Sequence, residues 1–203
     1  MKKLLSIDPA VNNFGYVVLE KTNGNYCIKD FDVVSPKKAI PKDLYLTKTG
    51  RRRKNLQNFL LETKSQIYYL KFAYDLILNL IDKYDIDVIC IEKPDLRPFI
   101  PRRTQMVLSM LYASILLAVS TKNGDKIKVI TLTKGNIDKA LNIKNTSYRL
   151  RKKLSVERYK EFLGAFKEKK ISEGKLDHLT DALMVAEAFI KENFNGGITL
   201  CQK

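Results

Sequence analysis

The run DVICIE at residues 87–92 is apolar at nearly every position before it ends in a carboxylate. A strand with one face in water alternates apolar and polar residues. A run without that alternation fits a central strand covered on both faces, as parallel strands usually are. Three further segments of strand character open the chain, at residues 3–8, 14–20 and 26–34, separated by PAVNN and KTNGN, whose Pro, Asn and Gly are turn formers. Connections this short make them a consecutive antiparallel meander. From residue 56 to 84 the apolar positions recur every three or four residues (Phe59, Leu60, Ile67, Leu70, Ala73, Leu76, Ile77, Leu80, Ile81), which predicts a long helix feeding the strand at 87–92. The same reading predicts a helix over 104–120, a strand over 126–132, and helical segments at 134–141, 151–168 and 177–191. The result is an α/β chain with a mixed five-stranded sheet and helices on both faces, its functional edge beyond the strand ends.

With 203 residues the chain is long enough for one well-buried core, and 1–203 reads as a single domain. The stretch at about 35–55 departs from this pattern, with Pro36, Pro41, Gly50 and the run Arg51, Arg52, Arg53, Lys54 but few regularly spaced apolar residues; it is a basic excursion. Lys and Arg number 37 against 22 Asp and Glu, a net charge of +15 that favours a polyanionic partner through counterion release. Nucleic acid is the first candidate and an anionic membrane the second. The longest mostly apolar run, 106–119, falls short of the roughly 20 residues that span a bilayer and reads as a buried helix, so no membrane partner is expected. Asp8 interrupts the apolar stretch that a signal peptide would need, which points to the cytoplasm. Cys27, Cys90 and Cys201 are odd in number and form no CxxC pair, which argues against a disulfide framework or a zinc site; Cys90 reads as core.

The chemistry-bearing residues sit at the ends of the apolar runs. Asp8 closes the first strand after LLSI, and Glu92 closes VICI. A carboxylate there is costly to desolvate unless a cation or hydrogen bonds meet it. If the two strands pair in parallel, both acids emerge side by side at one sheet edge. In DHLTDALMVAEAF, His178 and Asp181 stand three residues apart and share a helical face, with Asp177 as a reserve acid. Oxygen-rich donor sets of this kind suit divalent ions, two of which can assist an in-line phosphoryl displacement. Each residue also has a plainer role open to it: Asp8 as a turn cap, Glu92 paired with Lys93, Asp177 as a helix N-cap, and His178 as an ordinary polar residue.

The segment LLSIDPAVNNFGYVVLE resembles the first motif of the RuvC-type Holliday junction resolvases, in which an apolar strand ends in IDPG and a Gly opens the second strand. Asp8, Pro9 and Gly15 match, and Ala10 stands where that family usually has Gly. DVICIEKP is similar to the second motif, with Glu92 in the acidic position, and DHLTDALMVAEAF to the last, with His178 and Asp181 followed by Ala182 and Leu183. The resemblance implies an RNase H-like fold and a homodimeric, metal-dependent endonuclease that resolves four-way DNA junctions by paired symmetric nicks. It implies two Mg²⁺ or Mn²⁺ ions per site, held by Asp8, Glu92 and Asp181, with His178 ligating the second ion or handling a proton. The length of the basic excursion suggests a phage or viral branch.

Three basic clusters are candidates for tracking phosphates: Lys48 with Arg51, Arg52, Arg53 and Lys54; Arg97 with Arg102 and Arg103; and Arg149 and Arg151 with Lys152 and Lys153. Phe99, between arginines and close to Glu92, is a candidate wedge against bases. Solvated surface and intradomain packing are the plainer readings of both. The helix 106–119 carries Ser109, Ala113 and Ser114 and offers a dimer surface as well as a core. Competing functions are an RNase H-like nuclease acting on RNA or on branched or duplex DNA, an actin-like ATP-binding protein, and a non-catalytic basic nucleic-acid-binding module. The chain has no second phosphate loop for the ATP-binding protein, and acidic groups at three motif positions would repel phosphate in a non-catalytic module.

Overall fold

The structure, a computed structural model, describes residues 3–36, 55–94, 101–123, 126–143, 147–194 and 196–201. Strands β1 (Lys3–Asp8), β2 (Phe14–Thr22) and β3 (Asn25–Val34) form the expected antiparallel meander. Asn23 and Gly24 turn β2 into β3 with φ of 52° and 86°. Two positive φ angles in a two-residue hairpin loop match the right-handed twist of the strands, and Asn-Gly adopts them at low cost.

Helix α1 (Asn55–Tyr84) leads into β4 (Val88–Glu92), α2 (Arg102–Asn123) into β5 (Lys128–Leu132), and α3 (Lys134–Ala140) into α4 (Tyr148–Arg158). A 3-10 turn (Lys160–Phe162), α5 (Leu163–Glu168), a second 3-10 turn (Glu173–Lys175), α6 (Leu176–Asn193) and β6 (Ile198–Leu200) complete the order. The sheet runs β5-β4-β1-β2-β3-β6, with β4 parallel to both β1 and β5.

Successive residues of β1 point to opposite faces. Leu4 joins Val17, Leu19, Val88 and Cys90 under Leu179, Leu183, Ala186 and Phe189 of α6. Leu5 and Ile7 join Tyr16, Val18, Ile89 and Ile91 under Ile77, Leu80 and Ile81 of α1 and Ile115 and Ala118 of α2. Both faces of the central strands are therefore covered, as the unbroken VICI run requires.

Four expectations are corrected. The sheet has six strands: β6 pairs in parallel with Tyr26, Cys27 and Ile28 of β3, and its Ile-Thr-Leu is too short to carry a period. Cys27 and Cys201 are joined by a disulfide across that pairing, leaving Cys90 free and buried. Their 174-residue separation in sequence hides an adjacency that only the sheet creates. The helix expected over 151–168 is broken at Tyr159, whose φ of −111° and ψ of 24° end α4. That break lets Tyr159, Phe162 and Phe166 all turn into the core beside α6. Finally, α2 is only half covered. Val107, Leu111, Ser114, Ile115, Ala118 and Val119 are buried, whereas Met106, Leu116 and Leu117 face outward. The stretch Thr104–Lys122 is long and apolar enough to cross a membrane by length and composition, so the outward stripe is an unusually apolar surface.

Candidate active site

Asp8 and Glu92 leave the sheet at the same edge. The parallel register pairs Ile7 with Ile91, so the next residue of each strand is an acid on a neighbouring rung. Helix α6 is brought to this edge by two contacts. Ser6, fully buried, donates its hydroxyl to the Ala182 carbonyl at 2.6 Å. Gly15, opposite Asp8 in the β1/β2 ladder, lies so close to the first turn of α6 that a Cβ there would sit 2.4 Å from the His178 carbonyl oxygen. The missing side chain is what admits the helix.

Docked this way, His178 places Nδ1 at 3.0 Å from Asp8 Oδ2, with Nε2 at 4.0 Å from Asp177 Oδ1. When Nδ1 carries a proton it donates to Asp8, which orients the ring and leaves Nε2 as the available nitrogen. Burial works against charging His178, but the hydrogen bond to Asp8 and the charges of Asp8 and Asp177 together outweigh it and raise the imidazole's pKa. Asp181, one turn further along α6, is almost fully buried. Asp177 is not the N-cap of α6; that position is Lys175, and no side chain caps the helix start.

The acids repel one another. Glu92 is pushed up to about 8, first by burial and then by the charges of Asp8 and Asp181. Asp181 is also raised, again by burial and then by Asp8. Two cations from α4 offset this crowding. The Lys152 ammonium donates to Asp181 Oδ2 and lies 3.3 Å from Asp177 Oδ2. Arg151 spans Asp138 on α3, at 2.9 Å from Nε, and Asp181 on α6, at 3.5 Å from Nη1. Even so, Asp181 Oδ1 is buried without a hydrogen-bond donor among the described residues.

This placement corrects the phosphate-tracking role expected of Arg151, which is only 3% exposed and committed to internal carboxylates. The sequence misled because α4 is inverted: Leu150 and Leu154 face out, while Arg151 and Ser155 face in. Asp138 escaped notice for the same reason, since its partner lies across a helix packing. Lys153, Arg149 and Arg102 are exposed. Arg149, Lys152, Lys153, Val156, Glu157 and Glu173 line a groove of about 500 Å³ that opens beside Asp177. Lys48, Arg51, Arg52, Arg53, Lys54, Arg97 and Phe99 lie outside the described residues, as does the side chain of Arg103.

A consequence of the Glu92 shift is measurable. In the unfolded chain a Glu releases its proton near roughly 4.3, whereas folded Glu92 holds it up to about 8. The native state thus binds more protons between those values, and its stability is full at the acid end and falls as pH rises through them. Melting in a chelating buffer from pH 5 to 8.5 is expected to give a declining transition temperature, and Glu92→Gln should flatten the decline.

No group of three or more His, Cys, Asp or Glu side chains is gathered closely enough to hold a metal ion among the described residues. The donor set is nevertheless one that a divalent cation fits: carboxylate oxygens held up by mutual repulsion, an Asp181 oxygen lacking a donor, and one oriented imidazole.

No family model matches the sequence, and no curated protein matches it. Solved structures do match in fold. RuvC of Thermus thermophilus, determined with a Holliday junction substrate, superposes with a TM-score of 0.57 at 12% identity over 93% of each chain. The yeast mitochondrial Holliday junction resolvase Ydc2 gives 0.60 at 16% identity over 93% of this chain and 77% of its own. The fowlpox virus resolvase, in complex with Holliday junction DNA, gives 0.54 at 16% identity over 94% and 97%. With its mixed sheet, parallel β1/β4 pairing and acid-bearing edge, the chain has the RNase H-like fold of the RuvC-type Holliday junction resolvases.

Proposed function

We propose that this protein is a divalent-metal-dependent endonuclease that resolves four-way DNA junctions by paired nicks. The observation that carries the reading is the gathering of Asp8, Glu92, His178 and Asp181 at one edge of a resolvase-like fold. The solved relatives bound to Holliday junction DNA favour a branched substrate, and the net charge of +15 favours a polyanion.

In this reading Asp8, Glu92 and Asp181 hold the ions, with His178 Nε2 as a further donor and Asp177 in reserve. Bound divalent ions would supply charge neutralisation at the scissile phosphate and a lowered pKa for the attacking water. Asp8 orients the imidazole through Nδ1, and Arg151 holds Asp181 in place from the side of α3. Lys153, Arg149 and Arg102 would contact the sugar-phosphate backbone. The test is cleavage of a labelled synthetic four-way junction beside duplex, single-stranded and RNA controls, with Mg²⁺ or Mn²⁺. Paired symmetric nicks confined to the junction support resolution. Equal cleavage of the simple substrates would make it a less selective nuclease, and binding without cleavage under either metal would make it a non-catalytic binding module.

An imidazole donor suits Mn²⁺ better than Mg²⁺. Cleavage in Mn²⁺ is therefore expected to equal or exceed that in Mg²⁺, and a clear loss in Mn²⁺ removes His178 from the ligand set. Two nicks on opposing strands require two sites, and the outward stripe of Met106, Ala113 and Leu117 on α2 is the surface we assign to a second copy. Sedimentation equilibrium should give a dimer for the wild type and a monomer for Leu117→Glu; a monomeric wild type refutes the pairing.

A further inference from the structure

Lys152 occupies an unusual position for a basic residue of a nucleic-acid-binding protein. Its side chain is only 17% exposed, its ammonium donates to buried Asp181, and it lies 3.3 Å from Asp177. Asp8 acts on it as well, so three of the acids assigned to metal binding face a single internal cation. The same side chain also lines the groove formed with Arg149, Lys153, Val156, Glu157 and Glu173, which opens beside Asp177. Lys152 therefore stands at the boundary between the acid cluster and a groove whose wall carries both cations and acids, on a stem of four rotatable methylenes.

We propose that the Lys152 ammonium is the resident cation of the metal-free site, and that divalent metal binding expels it into the adjoining groove, where it joins Arg149 and Lys153 to face the polyanionic substrate. This rests on the reading of the site as a metal-dependent nuclease.

The physical reason is competition for the same oxygens. Asp181 cannot remain buried beside Asp8 and Glu92 without a compensating charge, because an unpaired buried carboxylate is strongly disfavoured. In the metal-free protein Lys152 supplies that charge together with Arg151. Arg151 is held on its far side by Asp138 and stays anchored, whereas Lys152 has open volume next to it. A dication at Asp181 repels the ammonium and takes the oxygen that holds it. Expulsion then turns a structural ion pair into a substrate contact only when the site is loaded, which couples metal occupancy to the charge of the groove.

Two measurements on the full chain test this. The first labels lysines by reductive dimethylation with formaldehyde, followed by peptide mass spectrometry, in a chelating buffer and across a Mn²⁺ titration. Lys152 modification should rise about tenfold at saturation, while exposed Lys167 serves as the unchanged reference. The second is calorimetric titration of Mn²⁺ into wild type and Lys152→Met, where the variant should bind about tenfold more tightly. Metal binding by the wild type with no change in Lys152 labelling overturns the proposal and leaves the nuclease reading standing. Absence of metal binding by the wild type overturns both. Because the labelling uses the unmodified sequence, failure of Lys152→Met to fold does not remove the test.

Discussion

Asp8→Asn is expected to abolish junction cleavage, lowering the rate by at least about a thousandfold, because losing a ligand that positions several kcal/mol of charge stabilisation costs a factor of ten for every 1.36 kcal/mol. The side effect on stability runs the other way. Asp8 raises the pKa of both Glu92 and Asp181 by its charge, so the neutral amide relieves that repulsion. The amide can also still accept from His178 Nδ1, the contact now made at 3.0 Å. Metal-free Asp8→Asn should therefore melt no lower than the wild type, while losing cleavage and divalent affinity. Junction cleavage, melting in chelator and calorimetry read the three quantities separately. A variant that cleaves within tenfold of wild type removes Asp8 from the reaction, and one that melts well below it makes Asp8 a structural residue.

Gly15→Ala should damage both fold and site through a single methyl group. The added Cβ would lie 2.4 Å from the His178 carbonyl oxygen and 2.8 Å from its carbonyl carbon. Both are backbone atoms, so no side chain can swing away; β2 and the first turn of α6 must separate. Overpacking of this kind costs about 1–3 kcal/mol, and for a chain of this size each kcal/mol lowers the melting temperature by about 2–4 °C. The same displacement carries His178 and Asp181 away from Asp8, and a misplacement of about 1 Å can cost on the order of a hundredfold in rate. Folded Gly15→Ala is thus expected to retain the overall circular dichroism of the wild type but cleave about a hundredfold more slowly. Wild-type cleavage by this variant would mean that the α6 contact does not set the site.

The order of the first five strands along the chain and the two-sided core were legible because each depends on local periodicity, and the shared edge of Asp8 and Glu92 was legible on the condition that their strands pair in parallel. An unbroken VICI run belongs in the middle of a covered sheet, PAVNN and KTNGN are too short for anything but tight connections, and a spacing of three residues on a helix puts His178 and Asp181 on one face. The structure supplies that condition, the parallel pairing of β1 and β4, and with it the acids align. The environment of those acids is different in kind. The inward turn of Arg151 and Ser155 on α4 reverses what hydrophobicity would assign, because the polar side chains are matched to Asp138, Asp181 and Thr180 on other helices rather than to their own neighbours in sequence. Lys152 looks like a surface cation in the run RKK and becomes an internal one only when α4 crosses α6.

What the sequence by itself determined is where the first five strands and the long helices lie, their order, and which strand ends carry carboxylates, since these follow from side-chain period and turn chemistry within a few residues. Only the tertiary structure decided which cations answer those carboxylates, that Gly15 is the contact admitting α6, and that Cys27 and Cys201 meet across β3 and β6. Those are pairings between residues far apart in the chain, and their partners exist only after the helices have docked on the sheet.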